Sequence, residues 1–208
     1  VAGLSPAKNV ELQEAYEDAK IKAQRIDWED VLVLTLGMLR AEPRALAHVH
    51  QQYRFFTVDE YQDISPLQHA LLDAWLGERN DLCVVGDPNQ TIYSFTGASS
   101  SYLQNFSKVY PDANVIQLTR NYRSTQQIVN FANRLTEESG IVEPLQSQGV
   151  VGLAPRTISF ATIQDECSSV AASIKNKLDQ GFKASDIAVL YRVNGQSEAI
   201  ENALAQAG

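Results

Sequence analysis

Apolar positions along the first fifty residues recur at helical spacing. From 8 to 25, Val10, Leu12, Ala15, Ala19, Ile21 and Ala23 stand among many charges, a pattern that fits a helix rather than an alternating strand. Asp27-Trp28-Glu29-Asp30 offers an N-cap followed by acids in the first turn, so a second helix is predicted through 31–39. Pro43 suits the first turn of a third, which runs to residue 52.

Beyond residue 54 the pattern changes. Short runs rich in β-branched and aromatic residues fall at 55–58, 82–85, 114–118, 157–160 and 187–191. Each has the length and composition of a strand buried on both faces. Helical stretches are predicted between and after them at 66–76, 100–109, 125–136, 164–180 and 196–206. Alternation of this kind predicts an α/β fold, with parallel sheets and flanking helices. The stretch 139–155 carries Gly140, Pro144, Gly149, Gly152 and Pro155 without clear periodicity and reads as a loop.

Composition narrows the class. The chain has 208 residues, of which 44% are hydrophobic and 20% charged, as in a globular protein rather than a disordered one. No apolar run approaches the ~20 residues of a membrane helix, and the first ten residues lack a basic-then-apolar signal pattern. A start at Val1 instead of Met suggests a processed chain or a fragment. Cys83 and Cys167 lack metal-ligand spacing and read as buried, reduced thiols. His48, His50 and His69 read as structural or surface residues.

The net charge of −8 argues against a broad basic face for nucleic acid. The average conceals a local exception. Residues 88–136 hold Lys108, Arg120, Arg123 and Arg134 against Asp112 alone, a basic island in an acidic chain.

In parallel α/β sheets, ligands sit beyond the carboxyl ends of the strands. After 55–58 comes Asp59-Glu60-Tyr61-Gln62-Asp63. Adjacent acids can divide labour, one holding Mg²⁺ and the other taking a proton from an attacking water. An acidic loop that caps the next helix through Asp63 or Ser65 fits the same residues. After 82–85 comes Gly86, then Gln90, whose amide can orient a phosphate or a water, then Tyr93 and Phe95 among small polar residues. Rings in such a setting either pack under the loop or stand exposed as platforms for single-stranded bases. After 114–118, Arg120 and Arg123 lie where a strand meets a helix start, which suits either an anion or surface ion pairs.

Together these strand ends resemble an ordered set of family motifs. Val58-Asp59-Glu60-Tyr61-Gln62-Asp63 is similar to the DExQD box of superfamily 1A helicases of the UvrD/Rep/PcrA type. The run from Val84 to Ala98 resembles VVGDxxQSIYxxRGA, Asn121-Tyr122-Arg123-Ser124-Thr125 matches NYRST, and the run from Ile187 to Ser197 resembles AVLYRTNAQS. Ile26 to Leu32 is similar to the IDFDDL helix of the family. Phe95 stands where the family usually has Trp, Thr96 where it usually has Arg, and Asp87-Pro88-Asn89 where many members have Asp-x-Asp.

The resemblance implies an ATP-dependent helicase moving 3′ to 5′ on single-stranded DNA, acting at duplex junctions in repair or replication, with ATP and Mg²⁺ as cofactors. It implies that Asp59 coordinates Mg²⁺, Glu60 activates the hydrolytic water and Gln90 senses the γ-phosphate and couples it to DNA. Tyr122 would stack on adenine and Arg123 would act as an arginine finger. Tyr93 and Phe95 would stack on bases, and Arg192 and Asn194 would lie along the strand. A cytoplasmic, nucleoid-associated protein with repair-protein partners is expected. The expected divisions are 1–26 (the end of a helical 1B subdomain), 27–119 (the C-terminal part of a first RecA-like domain) and 120–208 (the N-terminal part of a second).

The family's phosphate-binding loop, GxxxxGKS or GxxxxGKT, has no counterpart, because no Lys follows a Gly anywhere in the chain. The chain alone is therefore expected to be inactive, and to self-associate through open sheet edges. Two alternatives stand beside the helicase reading: a non-enzymatic module binding single-stranded DNA or a partner, and the helicase part of a helicase–nuclease.

Overall fold

The computed structural model describes residues 4–137 and 143–208. Two compact units partition the chain, Val1–Val151 and Gly152–Gly208. The larger begins with α1 (Pro6–Ala23), α2 (Trp28–Ala41) and α3 (Pro43–Gln52). Strand β1 (Phe56–Val58), α4 (Pro66–Leu76) and β2 (Leu82–Val84) follow. The short helices α5 (Ser101–Gln104) and α6 (Phe106–Val109) lead to β3 (Arg120–Asn121), α7 (Gln126–Thr136) and β4 (Gln146–Ser147). The smaller unit contains α8 (Ile163–Asp179) and α9 (Ser197–Ala207).

Local chemistry accounts for the helix starts. Asp27 caps α2 in a reciprocal box with Asp30, and Ser65 does the same for α4 with Gln68, with Pro66 in the first turn. Leu71 packs with Leu36 and Leu39 in a core among α2, α3 and α4. The adjacent Leu72 packs with Tyr61 and Ile64 against Phe56, Val58, Leu82 and Val84. Helix α4 thus joins a helical layer to a sheet. Arg79 ties the ends together: its Nε and Nη2 donate to the carbonyls of Leu76 and Trp75 at 2.9 and 2.7 Å, and Nη1 donates to that of Tyr53 at 3.0 Å. The last carbonyls of α4 and the residue following α3 are satisfied by one guanidinium.

Strands β1 and β2 pair parallel in register, Phe56 opposite Leu82 and Val58 opposite Val84. A second parallel pair joins β3 to β4. Asn133 fastens α7 to this pair, with its amide donating to the Leu145 carbonyl and its Oδ1 accepting from the Leu145 N–H. In the smaller unit Cys167 and Ala171 of α8 pack on Ala203 of α9.

The fold is mixed and rich in helix, with small parallel sheets. The predicted helix 66–76 coincides with α4, while 100–109 is broken at Asn105, whose side-chain amide donates to the Ser101 carbonyl. The predicted strands 114–118, 157–160 and 187–191 form no ladder among the described residues. Their apolar side chains lie largely in solvent, with Ile116 74% and Leu190 94% exposed. A parallel strand takes its hydrogen bonds from neighbours distant in sequence, and β-branched composition alone provides no neighbour. Cys167 is buried, but Cys83 is exposed, because β2 is covered on one face only. The reading of 139–155 as a loop holds in part: 139–142 lie outside the described residues, and β4 falls within the rest.

Helix α1 buries no residue and is held by charge. The Lys20 ammonium meets Asp27 at 3.0 Å and Asp30 at 2.8 Å, and the Tyr16 hydroxyl donates to Asp27 at 2.9 Å. The Asp30 N–H, Lys20 and Tyr16 together lower the Asp27 carboxyl from 3.8 to about 2. A lowered carboxyl contributes stability that is complete above its unfolded value and lost as pH falls through its folded value. We expect the α1–α2 contact, followed by NMR, to persist at neutral pH and to loosen as pH falls from 3.8 through about 2, with Asp27→Asn abolishing that transition.

Candidate functional site

The parallel register puts the carboxyl ends of β1 and β2 side by side. Pairing continues past both strands: Val85 N–H donates to the Val58 carbonyl at 2.8 Å, and Tyr61 N–H to the Val85 carbonyl at 2.9 Å. Asp59 and Glu60 therefore stand next to Gly86 and Asp87. Both acids are exposed, and Asp59 Oδ1 accepts from the Glu60 N–H at 2.9 Å. Glu60 has φ 51° and ψ 40°, a left-handed conformation that costs a non-glycine residue about 1 kcal/mol or more. Strain of this kind gathers where a side chain must point a particular way.

Tyr61, Gln62 and Asp63 form a single 3₁₀ turn beneath these acids. Tyr61 is the apolar floor, packed edge-on to Phe106 at 6.0 Å, and burial pushes its hydroxyl up to about 12. Gln62 is the buried polar member, 1% exposed. Its Nε2 donates to Glu60 Oε2 at 2.6 Å, and its Oε1 accepts from the Asp87 N–H at 3.0 Å. Asp87 in turn accepts from the Asn89 N–H and from Gln90 Nε2, both at 2.9 Å. One hydrogen-bonded array thus runs from Glu60 through Gln62 and Asp87 to Gln90.

Asp63 reaches the next loop. Its Oδ1 accepts from the N–H groups of Ile92 and Tyr93 at 3.1 and 3.3 Å. The turn Ser94–Thr96 follows and ends at Gly97, whose φ of 90° requires a residue without Cβ. Tyr93 and Phe95 stand here with ring centroids 6.1 Å apart, 49% and 76% exposed. Exposed rings on an anchored loop offer faces on which bases can stack.

The structure therefore gathers Asp59, Glu60, Gln90, Tyr93 and Phe95 at one end of one sheet. Tyr122 and Arg123 follow β3, at the end of the other sheet, and are both exposed. Asn121 Oδ1 accepts from the Arg123 and Ser124 N–H groups at 3.1 and 2.8 Å and shapes the turn into α7. Arg192 and Asn194 belong to the smaller unit, where Gln196 Oε1 accepts from the Arg192 N–H at 2.9 Å and folds the segment into a turn. Sequence reading left Gln62 and Asp87 without a role and gave Asp63 only that of a helix cap. The available signal was an amide among acids, Asp59-Glu60-Tyr61-Gln62-Asp63, at a strand end.

Among the described residues no group of three or more His, Cys, Asp or Glu side chains forms a metal cage. Mg²⁺ does not require one, since it binds through one or two carboxylates together with substrate phosphates and water. The exposed Asp59 carboxylate suits that partial coordination. No described helix is long and apolar enough to cross a membrane.

Two family models divide the chain. That of the UvrD/REP helicase N-terminal domain matches residues 3–111, and that of the UvrD-like helicase C-terminal domain matches residues 116–208. The ATP-dependent DNA helicase UvrD2 of Mycobacterium tuberculosis is 42% identical over 99% of this chain and 30% of its own length. The ATP-dependent DNA helicases PcrA of Leuconostoc citreum and Staphylococcus aureus are 34% and 32% identical, over 95% and 89% of the chain and 27% and 26% of their own lengths. The chain thus spans less than a third of each of these relatives.

Gly86 carries the prediction this geometry makes. A Cβ there would lie 2.5 Å from Gln62 Oε1 and 3.1 Å from the Tyr61 backbone N. Gly86→Ala is expected to displace the buried amide and lower stability by about 1–3 kcal/mol in denaturant unfolding, because neither neighbour can yield freely.

Proposed function

The chain belongs to the UvrD/Rep helicase family, and on that premise we propose that it is part of an ATP-dependent DNA helicase that translocates 3′ to 5′ on single-stranded DNA in repair or replication. The observation that carries this reading is the single hydrogen-bonded array linking Glu60 and Gln90, beside an anchored loop with two exposed rings.

Each residue has a task in this reading. Glu60, exposed and pinned by Gln62, takes the proton of the attacking water. Asp59 holds Mg²⁺, whose chemistry when bound is to neutralise charge on the phosphates. Gln90, at the far end of the array, meets the γ-phosphate. Tyr122 offers its exposed ring to adenine, and Arg123 its guanidinium to the transferring phosphate. Tyr93 and Phe95 stack on bases, while Arg192 and Asn194 contact the strand. The helicase's partners are then single-stranded DNA and duplex junctions, and its place is with the nucleoid in the cytoplasm. The chain has no GxxxxGKS or GxxxxGKT loop, so it supplies the hydrolytic acids without the phosphate cradle and is inert in isolation.

In the full-length protein, Glu60→Gln is expected to lower the rate of hydrolysis stimulated by single-stranded DNA by about 10²–10⁴-fold, measured by phosphate release. A wild-type protein that hydrolyses no ATP in the presence of single-stranded DNA would overturn the reading. Steady turnover by the isolated chain, sensitive to Glu60→Gln, would overturn its predicted inactivity.

Phe95→Ala is expected to weaken oligo(dT) binding by about 1–3 kcal/mol in fluorescence titrations, with the salt dependence retained because phosphate contacts remain.

A further inference from the structure

We propose that Gln62 and Asp63 are positioning residues that join the hydrolytic acid to the base-stacking loop, so that occupancy of the rings is felt at Glu60. The inference rests on the helicase reading and deepens it. Gln62 is 1% exposed, and a carboxamide removed from water is stable only when its donors and acceptor find partners. Here the partners also fix its orientation. The Asp87 backbone N–H can only donate, so the atom facing it at 3.0 Å must be Oε1. Nε2 is thereby turned towards two carboxylates, Glu60 Oε2 at 2.6 Å and Asp63 Oδ2 at 3.4 Å.

Glu60 needs such a partner. It is exposed, and among the described residues its carboxylate takes its hydrogen bond from Gln62 and enters no ion pair. Asp63 faces the other way. While Oδ2 lies towards Gln62, Oδ1 accepts from the N–H groups of Ile92 and Tyr93, the residues that lead into the ring pair. Gln62 and Asp63 occupy one 3₁₀ turn whose first residue, Tyr61, is 2% exposed and packed in the core. One short turn thus carries both contacts, that to Glu60 and that to the Ile92–Tyr93 backbone. A shift of the loop at Tyr93 pulls on Asp63, and the same turn carries the amide that holds Glu60.

The two residues differ from an ordinary structural pair in what their loss should change. Gln62→Glu keeps the volume and keeps an acceptor for the Asp87 N–H, but sets a carboxylate against Glu60 where a donor stood. Asp63→Ala frees the Ile92–Tyr93 backbone and leaves the amide–Glu60 bond in place.

The test uses the full-length protein carrying this chain. ATP hydrolysis with and without saturating oligo(dT), KM for ATP and oligo(dT) affinity are measured for wild type, both variants and the double variant. Gln62→Glu is expected to lower the stimulated kcat about tenfold or more, with KM for ATP changed less than about twofold. Asp63→Ala is expected to reduce the ratio of stimulated to unstimulated rate, and the double variant to lose less than the product of the single losses. An unchanged kcat in Gln62→Glu, an unchanged ratio in Asp63→Ala, or losses that simply multiply would overturn the inference. Wild-type protein without stimulated hydrolysis would overturn the helicase reading and this inference together, so the two failures are distinguishable. A measurement that needs no variant at Gln62 guards against misfolding. In ¹⁵N NMR of the 208-residue chain, the Gln62 side-chain amide should exchange more slowly than that of the exposed Gln90 and shift in Glu60→Ala. Equal exchange, or no shift, would show that the array does not form.

Discussion

Val85 donates to Val58 and Tyr61 donates to Val85, carrying the parallel pairing of β1 and β2 past the last residue of each strand. Two backbone hydrogen bonds in a short ladder decide which loops meet. Parallel strands end at the same edge of a sheet, so residues some 25 positions apart in the chain, Gln62 and Asp87, become neighbours. An antiparallel pairing would have separated Glu60 from Gln90. The ladder itself is only three residues long and depends on packing for its strength. Tyr61, Ile64 and Leu72 bury one face of it, and Phe106 closes the edge-on contact with Tyr61. A polar site therefore depends on an apolar floor directly beneath it.

That dependence explains why the strained and buried elements occur together. A glutamate in the left-handed region is unfavourable, and a buried glutamine is unfavourable, when each is taken alone. Placed two residues apart on one turn, each offsets part of the cost of the other. The glutamine finds a charged acceptor at 2.6 Å, and the glutamate acquires a fixed direction. Gly86 makes the arrangement sterically feasible, because the amide oxygen occupies the volume that a side chain there would need. Local violations of backbone and burial preferences are expected where function constrains geometry.

What the sequence revealed divides along the range of the interactions involved. Helix α4 was legible to the residue because its start is written locally, in Ser65, Pro66 and Gln68. The strand-like runs 114–118, 157–160 and 187–191 were not, because their composition states only that they suit a pleated surface, whereas a ladder needs a partner. The site shows the same division. Asp59, Glu60 and Gln90 could be singled out as polar residues at strand ends. Gln62, Asp63 and Asp87 could not be given their partners, since these are fixed by strand register and by a turn whose burial no local pattern reveals. The break of 100–109 at Asn105 lies between the two cases: an Asn that bonds back to the Ser101 carbonyl is a local event, but several conformations compete for it.

Charge adds the last constraint. At the α1–α2 junction, carboxylates are balanced by a cation: Lys20 lies within 3.0 Å of Glu17, Asp27 and Asp30. At the sheet end they are not. Among the described residues Asp59, Glu60, Asp63 and Asp87 enter no ion pair, and Glu60, Asp63 and Asp87 are held instead by N–H donors from Gln62, Ile92, Tyr93, Asn89 and Gln90. Neutral donors position a carboxylate without cancelling its charge, so the edge keeps its negative potential. A resident lysine would have neutralised that charge and competed with any other cation for the site. On the proposed reading that uncancelled charge is what draws Mg²⁺, while Arg120 and Arg123 of the basic island, which enter no ion pair among the described residues, meet phosphate. On that reading the acids after β1 and the arginines after β3 divide one task between them, the first holding a cation and the second an anion.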